Sequence, residues 1–171
     1  MNFLLTGHAD YPPRSLSVSV DLRRSGHILT LTYAVTDGDI RWPRPATPGR
    51  ADGLWRTTCF ELFLRFDDDE RYVEFNFSPS TRWAAYAFDG YRDGMKPLDV
   101  TPPPIERTPT GIVATVDLGD LPRGEHRMAL TAVIEEIDGT QSYWSLAHPP
   151  GAPDFHHPAC FVARLPAPDA A

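Results

Sequence analysis

Cysteine is scarce in this chain: there are two among 171 residues, Cys59 and Cys160. Two thiols make no disulfide framework, so the default is a protein with reduced cysteines. Long apolar runs are absent too. The N-terminal stretch MNFLLTGHADYPP has only a short apolar run and no Lys or Arg before Arg14, unlike a secretory signal peptide. Nothing elsewhere approaches a membrane span. The expectation is a cytoplasmic protein with no membrane partner. Positive charge is also in deficit, with 16 Lys and Arg against 23 Asp and Glu and a formal net charge of −7. That balance disfavours nucleic acid, which requires a basic face.

Catalytic signatures are missing as well. There is no glycine-rich phosphate loop, nucleophile elbow or His-Glu-x-x-His run, which disfavours an enzyme. No Cys-x-x-Cys-His motif is present for covalent haem attachment. Amphipathic helical patterns and internal repeats are likewise absent.

Proline, by contrast, is abundant: 18 residues, roughly twice average usage, spread along the chain. Long helices have little room in such a sequence. A hydrophobic fraction of 42% with 11% aromatics is that of a folded chain, and the length suits one domain over residues 1–171. Alternation of period two then dominates. SLSVSVDL sets Leu16, Val18, Val20 and Leu22 against Ser15, Ser17, Ser19 and Asp21, and ILTLTYAV sets Leu29, Leu31, Tyr33 and Val35 against Thr30 and Thr32. Such alternation predicts half-buried antiparallel strands, joined here at RSG. Further strands are expected at 59–66, 71–77, 83–88, 112–118, 127–135, 141–147 and 160–165. Asp138-Gly139 marks a hairpin between two of them. Residues 39–53 form a long loop rich in proline and glycine, and 165–171 a frayed tail. The fold class is all-β, an antiparallel β-sandwich of jelly-roll-like character with roughly nine to ten strands.

The segment CFELFLRFDDDERYVEFNFSPSTRWAAYAF invites a register. With 67–70 as the turn, Leu64 meets Val73, Leu62 meets Phe75 and Phe60 meets Phe77, and a one-residue slip would destroy that agreement. The opposite face then carries Glu61 opposite Asn76 and Phe63 opposite Glu74. Taking SPSTRW as the next turn sets Phe77 against Ala84 and Phe75 against Tyr86, which brings Trp83, Ala85 and Ala87 to the glutamate face. Trp55 approaches the same end as the 78–82 turn. Indoles beside carboxylates and an amide suit a sugar-type ligand, since aromatic faces stack on C–H patches while carboxylates take hydroxyl hydrogen bonds. Equally, outer faces of antiparallel sheets are polar by default, and their glutamates usually meet only water.

The motifs LWRTTCFELFL, YVEFNFSPSTRWAAYAF, GYRDGM, SYWSLAHP and PDFHH, in that order, resemble the bacterial DOMON-like domains related to family 9 carbohydrate-binding modules. The match runs from about Leu54 to Phe161. The resemblance implies a sandwich of roughly ten strands used for recognition and not for chemistry. It implies sugar-holding roles for Trp55 and for Glu61, six residues on, with Glu74 and Asn76 on the next strand taking part. A second aromatic completes the clamp in such modules, and Trp83, Trp144 and Phe155 are its candidates here. Some relatives in the wider superfamily bind haem through Met and His, so haem is the alternative cofactor, with Met95 and Met128 as the thioethers available. A protein-interaction module is a further alternative.

The loop HPPGAPDFHHP gathers His148, Asp154, His156 and His157, side chains of the type that ligate divalent metals. Its spacing matches no metal signature. The expectation is therefore a structural loop, with Asp154 in an Asx-type turn, His156 packed and Phe155 as anchor. Alternatively it closes over the Trp55 end, where a histidine donates to a ligand.

Overall fold

Alternation in sequence becomes alternation in burial in the computed structural model, which describes residues 1–12, 15–66 and 70–168. Two short strands, β1 (Asn2–Leu4) and β2 (Thr6–Gly7), precede the nine-residue strands β3 (Ser17–Ser25) and β4 (Ile28–Thr36). The middle of the chain supplies β5 (Gly49–Arg50), β6 (Cys59–Phe66), β7 (Tyr72–Phe77), β8 (Arg82–Phe88) and β9 (Lys96–Pro97). Then come β10 (Ile105–Thr108), β11 (Gly111–Asp117), β12 (His126–Glu135), β13 (Gln141–Ser145) and β14 (Ala163–Leu165).

These strands make two sheets. The smaller has the order β1-β3-β4-β11-β10; the larger has β2-β13-β12-β6-β7-β8-β5, with β14 joined to β12 and β9 to β8. All pairings are antiparallel except the short parallel contact of β5 with β8. The fold is an all-β sandwich. Its longer strands follow the alternating segments, while the pieces of two or three residues carry too little pattern to be read from sequence. The expected strand at 160–165 is shorter, Ala163–Leu165, because Pro158–Cys160 winds into a 3-10 turn. Proline at its start suits such a turn, and His157 Nδ1 caps it by accepting from the Ala159 N–H at 3.1 Å. No helix among the described residues is long and apolar enough to cross a membrane.

The main core lies between the sheets. Val18, Val20 and Leu22 of β3 and Leu29, Leu31 and Tyr33 of β4 face Phe60, Leu62, Leu64, Phe75 and Phe77 of the larger sheet, all essentially without solvent contact. The one polar atom that Tyr33 carries into this core is satisfied, since its hydroxyl donates to Glu61 O at 2.6 Å across the sandwich. At the N-terminus the chain passes from one sheet to the other. β1 pairs with β3 and β2 with β13, and Leu5 between them is buried with its N–H on Val18 O.

The β6–β7 register is as the sequence predicts: Leu62 opposes Phe75, Glu61 opposes Asn76, and Phe63 opposes Glu74. Residues 67–69 of the anticipated turn lie outside the described residues, as do 169–171 of the tail. The β7–β8 register differs by one residue. Phe77 opposes Trp83, Asn76 opposes Ala84, Phe75 opposes Ala85 and Glu74 opposes Tyr86. Trp83 and Ala85 therefore belong to the main core, and Ala84, Tyr86 and Phe88 stand on the glutamate face. The connection is tighter than SPSTRW suggests. Ser78 N–H bonds Arg82 O at 2.9 Å, Thr81 N–H returns to Ser78 O, and Thr81 takes the left-handed φ of 77° that ends such a loop. Hydrophobicity does not discriminate here, because both faces of β8 are apolar. The turn and two side-chain partners do: Tyr86 Oη donates to Asp52 at 2.5 Å, and Arg50 lies 4.4 Å from the Trp83 ring centroid.

Leu62 is fully enclosed between the sheets. Leu62→Ala is expected to lower the unfolding free energy by about 2–5 kcal/mol, the range for a buried leucine that leaves a cavity. Urea denaturation followed by circular dichroism measures it, and a loss within error of zero would contradict the packing described.

Candidate ligand-binding site

The outer face of the larger sheet is not open to water. Phe63, Tyr72, Tyr86 and Phe88 form a second apolar cluster there with Phe161 and Cys160 from the C-terminal loop. Leu54, from a 3-10 turn at Leu54–Arg56, and Phe155 pack at its margin. The roof is pinned by polar contacts to the sheet. Tyr72 Oη lies 2.8 Å from His156 Nδ1 and accepts from the Arg92 N–H at 3.2 Å. The Arg92 N–H occupies a lone pair of the phenol, which leaves its proton for His156 Nδ1. Arg92 Nη2 meets Asp154 Oδ1 at 2.7 Å, and Tyr91 Oη also donates to Asp154. Asp154 Oδ1 further accepts from the His156 N–H, the Asx-type turn expected of this loop.

Between roof and sheet remains a cleft of about 560 Å³, lined by Trp55, Arg56, Glu61, Glu74, Phe88, Arg92, Met95, Val133, Gln141, Tyr143, Pro153, Phe155 and His156. Four of the sequence-derived site residues meet in it: Trp55, Glu61, Glu74 and His156. Asn76 lies beside them, fully buried, and donates its amide to Glu74 Oε1 at 2.9 Å. Asp154 stands in the roof. Trp83 and Trp144 are not at the cleft. Trp83 faces the main core for the register reason given, and Trp144 pairs with Ala132 on the same side, its Nε1 donating to Ser142 Oγ at 2.9 Å. His148 is also elsewhere. Its Nε2 donates to Thr6 O at 2.8 Å, tying the loop to β2. Of the three candidates for a second aromatic clamp, only Phe155 lines the cleft.

The sequence reading missed Phe88, Arg92, Val133, Gln141 and Tyr143. Phe88 was lost through the β8 slip, and Val133 through not placing β12 beside β6, where it opposes Cys59. Arg92 lies in a turn with a left-handed φ of 54°, for which an arginine gives no sequence signal.

The floor is electrostatically unusual. Glu61 is 2% exposed and Glu74 5%. Glu61 Oε2 accepts from Thr131 Oγ1 at 2.8 Å. Glu74 Oε2 is 3.8 Å from His156 Nε2, beyond hydrogen-bond reach. Burial raises both carboxyls well above the ordinary glutamate range, and the negative charge of Glu74 raises Glu61 further. His156 moves the other way, lowered to about 4 by burial and then by the nearby Arg92 charge. It is neutral at pH 7 and does not compensate the glutamates. Burial, then the charges of Glu61 and Glu74, pushes the Cys59 thiol up as well, which disfavours its thiolate form.

A glutamate whose folded pKa is raised binds protons more tightly in the native state, so its stability contribution is lost as pH rises through that raised value. A histidine lowered on folding contributes the opposite slope, but only between about 4 and its ordinary 6.5. Between about pH 6.5 and 8.5 the carboxyls act alone on this face, and the melting temperature is expected to fall. Glu61→Gln should flatten that slope and melt higher than the parent at about pH 8.5. Differential scanning calorimetry across the range checks it, and parallel slopes for the two proteins would contradict the burial of a titrating Glu61.

No family model matches the sequence, and no curated protein matches it. Among solved structures, the chain is similar to a proposed carbohydrate-binding protein from Bacteroides uniformis, with a TM-score of 0.72 over 97% of this chain and 85% of that one. The two sequences are 17% identical, so the likeness is one of fold.

Proposed function

We propose that the cleft binds a small carbohydrate-like ligand, and that the protein is a recognition domain of the kind its motifs resemble, a DOMON-like domain related to family 9 carbohydrate-binding modules. The observation that carries this reading is the meeting of an exposed indole and two buried carboxyls in one cavity. Trp55 is 39% exposed on the cleft wall, while Glu61 and Glu74 are nearly sealed in its floor. Phe155 supplies a second aromatic surface from the roof. A volume of about 560 Å³ falls in the range of small-molecule sites. The fold shared with a proposed carbohydrate-binding protein is consistent with this reading.

The haem alternative fits the cleft less well. Met128 is buried in the main core, and both ring nitrogens of His156 already face other groups, Tyr72 and Glu74. Met95 lines the cleft but is 53% exposed, at a position open to solvent.

A stacked indole and a desolvated hydroxyl–carboxylate bond are each worth on the order of 1–3 kcal/mol. Trp55→Ala and Glu61→Gln are each expected to weaken binding about tenfold or more. Isothermal titration of a panel of neutral and amino monosaccharides and disaccharides measures this, with circular dichroism confirming that both variants stay folded. A panel without one saturable binder to the folded parent protein would sink the carbohydrate reading.

A further inference from the structure

The floor of the cleft is rich in acceptors and poor in donors. Glu61 spends one carboxyl oxygen on Thr131, and Glu74 spends one on Asn76. Glu61 Oε1 and Glu74 Oε2 remain for whatever occupies the cleft. Asn76 Oδ1, fully buried beside them, has no hydrogen-bond partner. His156 Nε2 of the roof stands 3.8 Å from Glu74 Oε2 and does not close a bond. Of the two arginines on the walls, Arg92 is committed to Asp154, and Arg56 is exposed in the turn beside Trp55, without an ion pair to either glutamate.

A neutral hydroxyl brings one proton and no charge to such a floor. A primary ammonium brings three donors and one positive charge on a single compact atom; its charge favours the ionised form of the two raised carboxyls, and its donors suffice to bridge their free oxygens. The walls favour a cation as well, since Trp55, Phe88, Tyr143 and Phe155 surround the cleft with aromatic rings. Resting on the carbohydrate reading above, the geometry points to an amino sugar with a free amine, its ammonium set between Glu61 and Glu74 and its ring against Trp55. N-acetylation removes the charge and two of the three donors, and adds bulk where the floor is closed by Val133 and the two glutamates.

The test compares four probes at pH 7 by isothermal titration: glucosamine, glucose, N-acetylglucosamine and ethanolamine. Glucosamine is expected to bind at least ten times more tightly than glucose or N-acetylglucosamine. Glu74→Gln should abolish that preference, with circular dichroism confirming that the variant stays folded. Glucose or N-acetylglucosamine binding as tightly as glucosamine overturns the ammonium inference but leaves the carbohydrate reading standing. Ethanolamine binding as well as glucosamine, with no sugar preference, sustains the amine contact and removes the sugar. No binding by any of the four overturns the ammonium inference, while the carbohydrate reading is decided by the wider panel above. A glucosamine preference that survives Glu74→Gln with the fold intact also overturns the assignment of the ammonium to this carboxyl pair.

Discussion

Strands β6 and β7 are covered on both faces, and the rest of the molecule is arranged around that constraint. Sheets in a sandwich ordinarily bury one face and wet the other. Here the inner face packs on β3, β4 and β11, while the outer one lies beneath the 89–95 turn and the loop from Leu146 to Phe161. Loops over a sheet need anchors, because they lack a ladder of their own. The anchors are Tyr72 to His156, Arg92 to Asp154, and Cys160 Sγ to Asp154 O. Asp154 takes two of these links, Arg92 on its carboxylate and Cys160 on its backbone carbonyl, so one residue organises much of the roof. Its carboxyl lies below the ordinary aspartate range despite partial burial, because Tyr91, Arg92 and the His156 N–H all donate to it.

How far this was legible depends on which rule decides each feature. Where one face of a strand is apolar and the other is not, hydrophobic pattern fixes register. β6 against β7 is such a case, and Leu62 opposite Phe75 follows from composition alone. β8 reads Arg-Trp-Ala-Ala-Tyr-Ala-Phe, with apolar residues at both parities, so composition is silent. The decision falls to the length of the Ser78–Arg82 turn and to the distant partners Asp52 and Arg50, which only the folded chain brings near. Trp83 followed the wrong parity for that reason. The roof was hidden for another. Nothing in HPPGAPDFHHP states which sheet face it covers, although Asp154 two residues before His156 does announce the local turn.

The sandwich and the cleft make opposite demands on Glu61 and Glu74. Stability alone would replace two buried carboxyls lacking a paired cation with apolar or amide side chains of similar size, often at no cost. A structural polar network would at least satisfy every lone pair, since a half-satisfied one is worse than an apolar filling. Neither arrangement is present. One oxygen of each carboxyl is held by a neutral donor, Thr131 or Asn76, which fixes the side chain in place; the other oxygen is left toward the cleft. Fixing one oxygen and freeing the other is how a site pre-orients an acceptor for something that arrives from outside. The unbonded Asn76 Oδ1 next to them adds to the same deficit of donors. A ligand that supplies those donors would offset the desolvation of the two carboxyls, so binding and stability are coupled at this place in the fold.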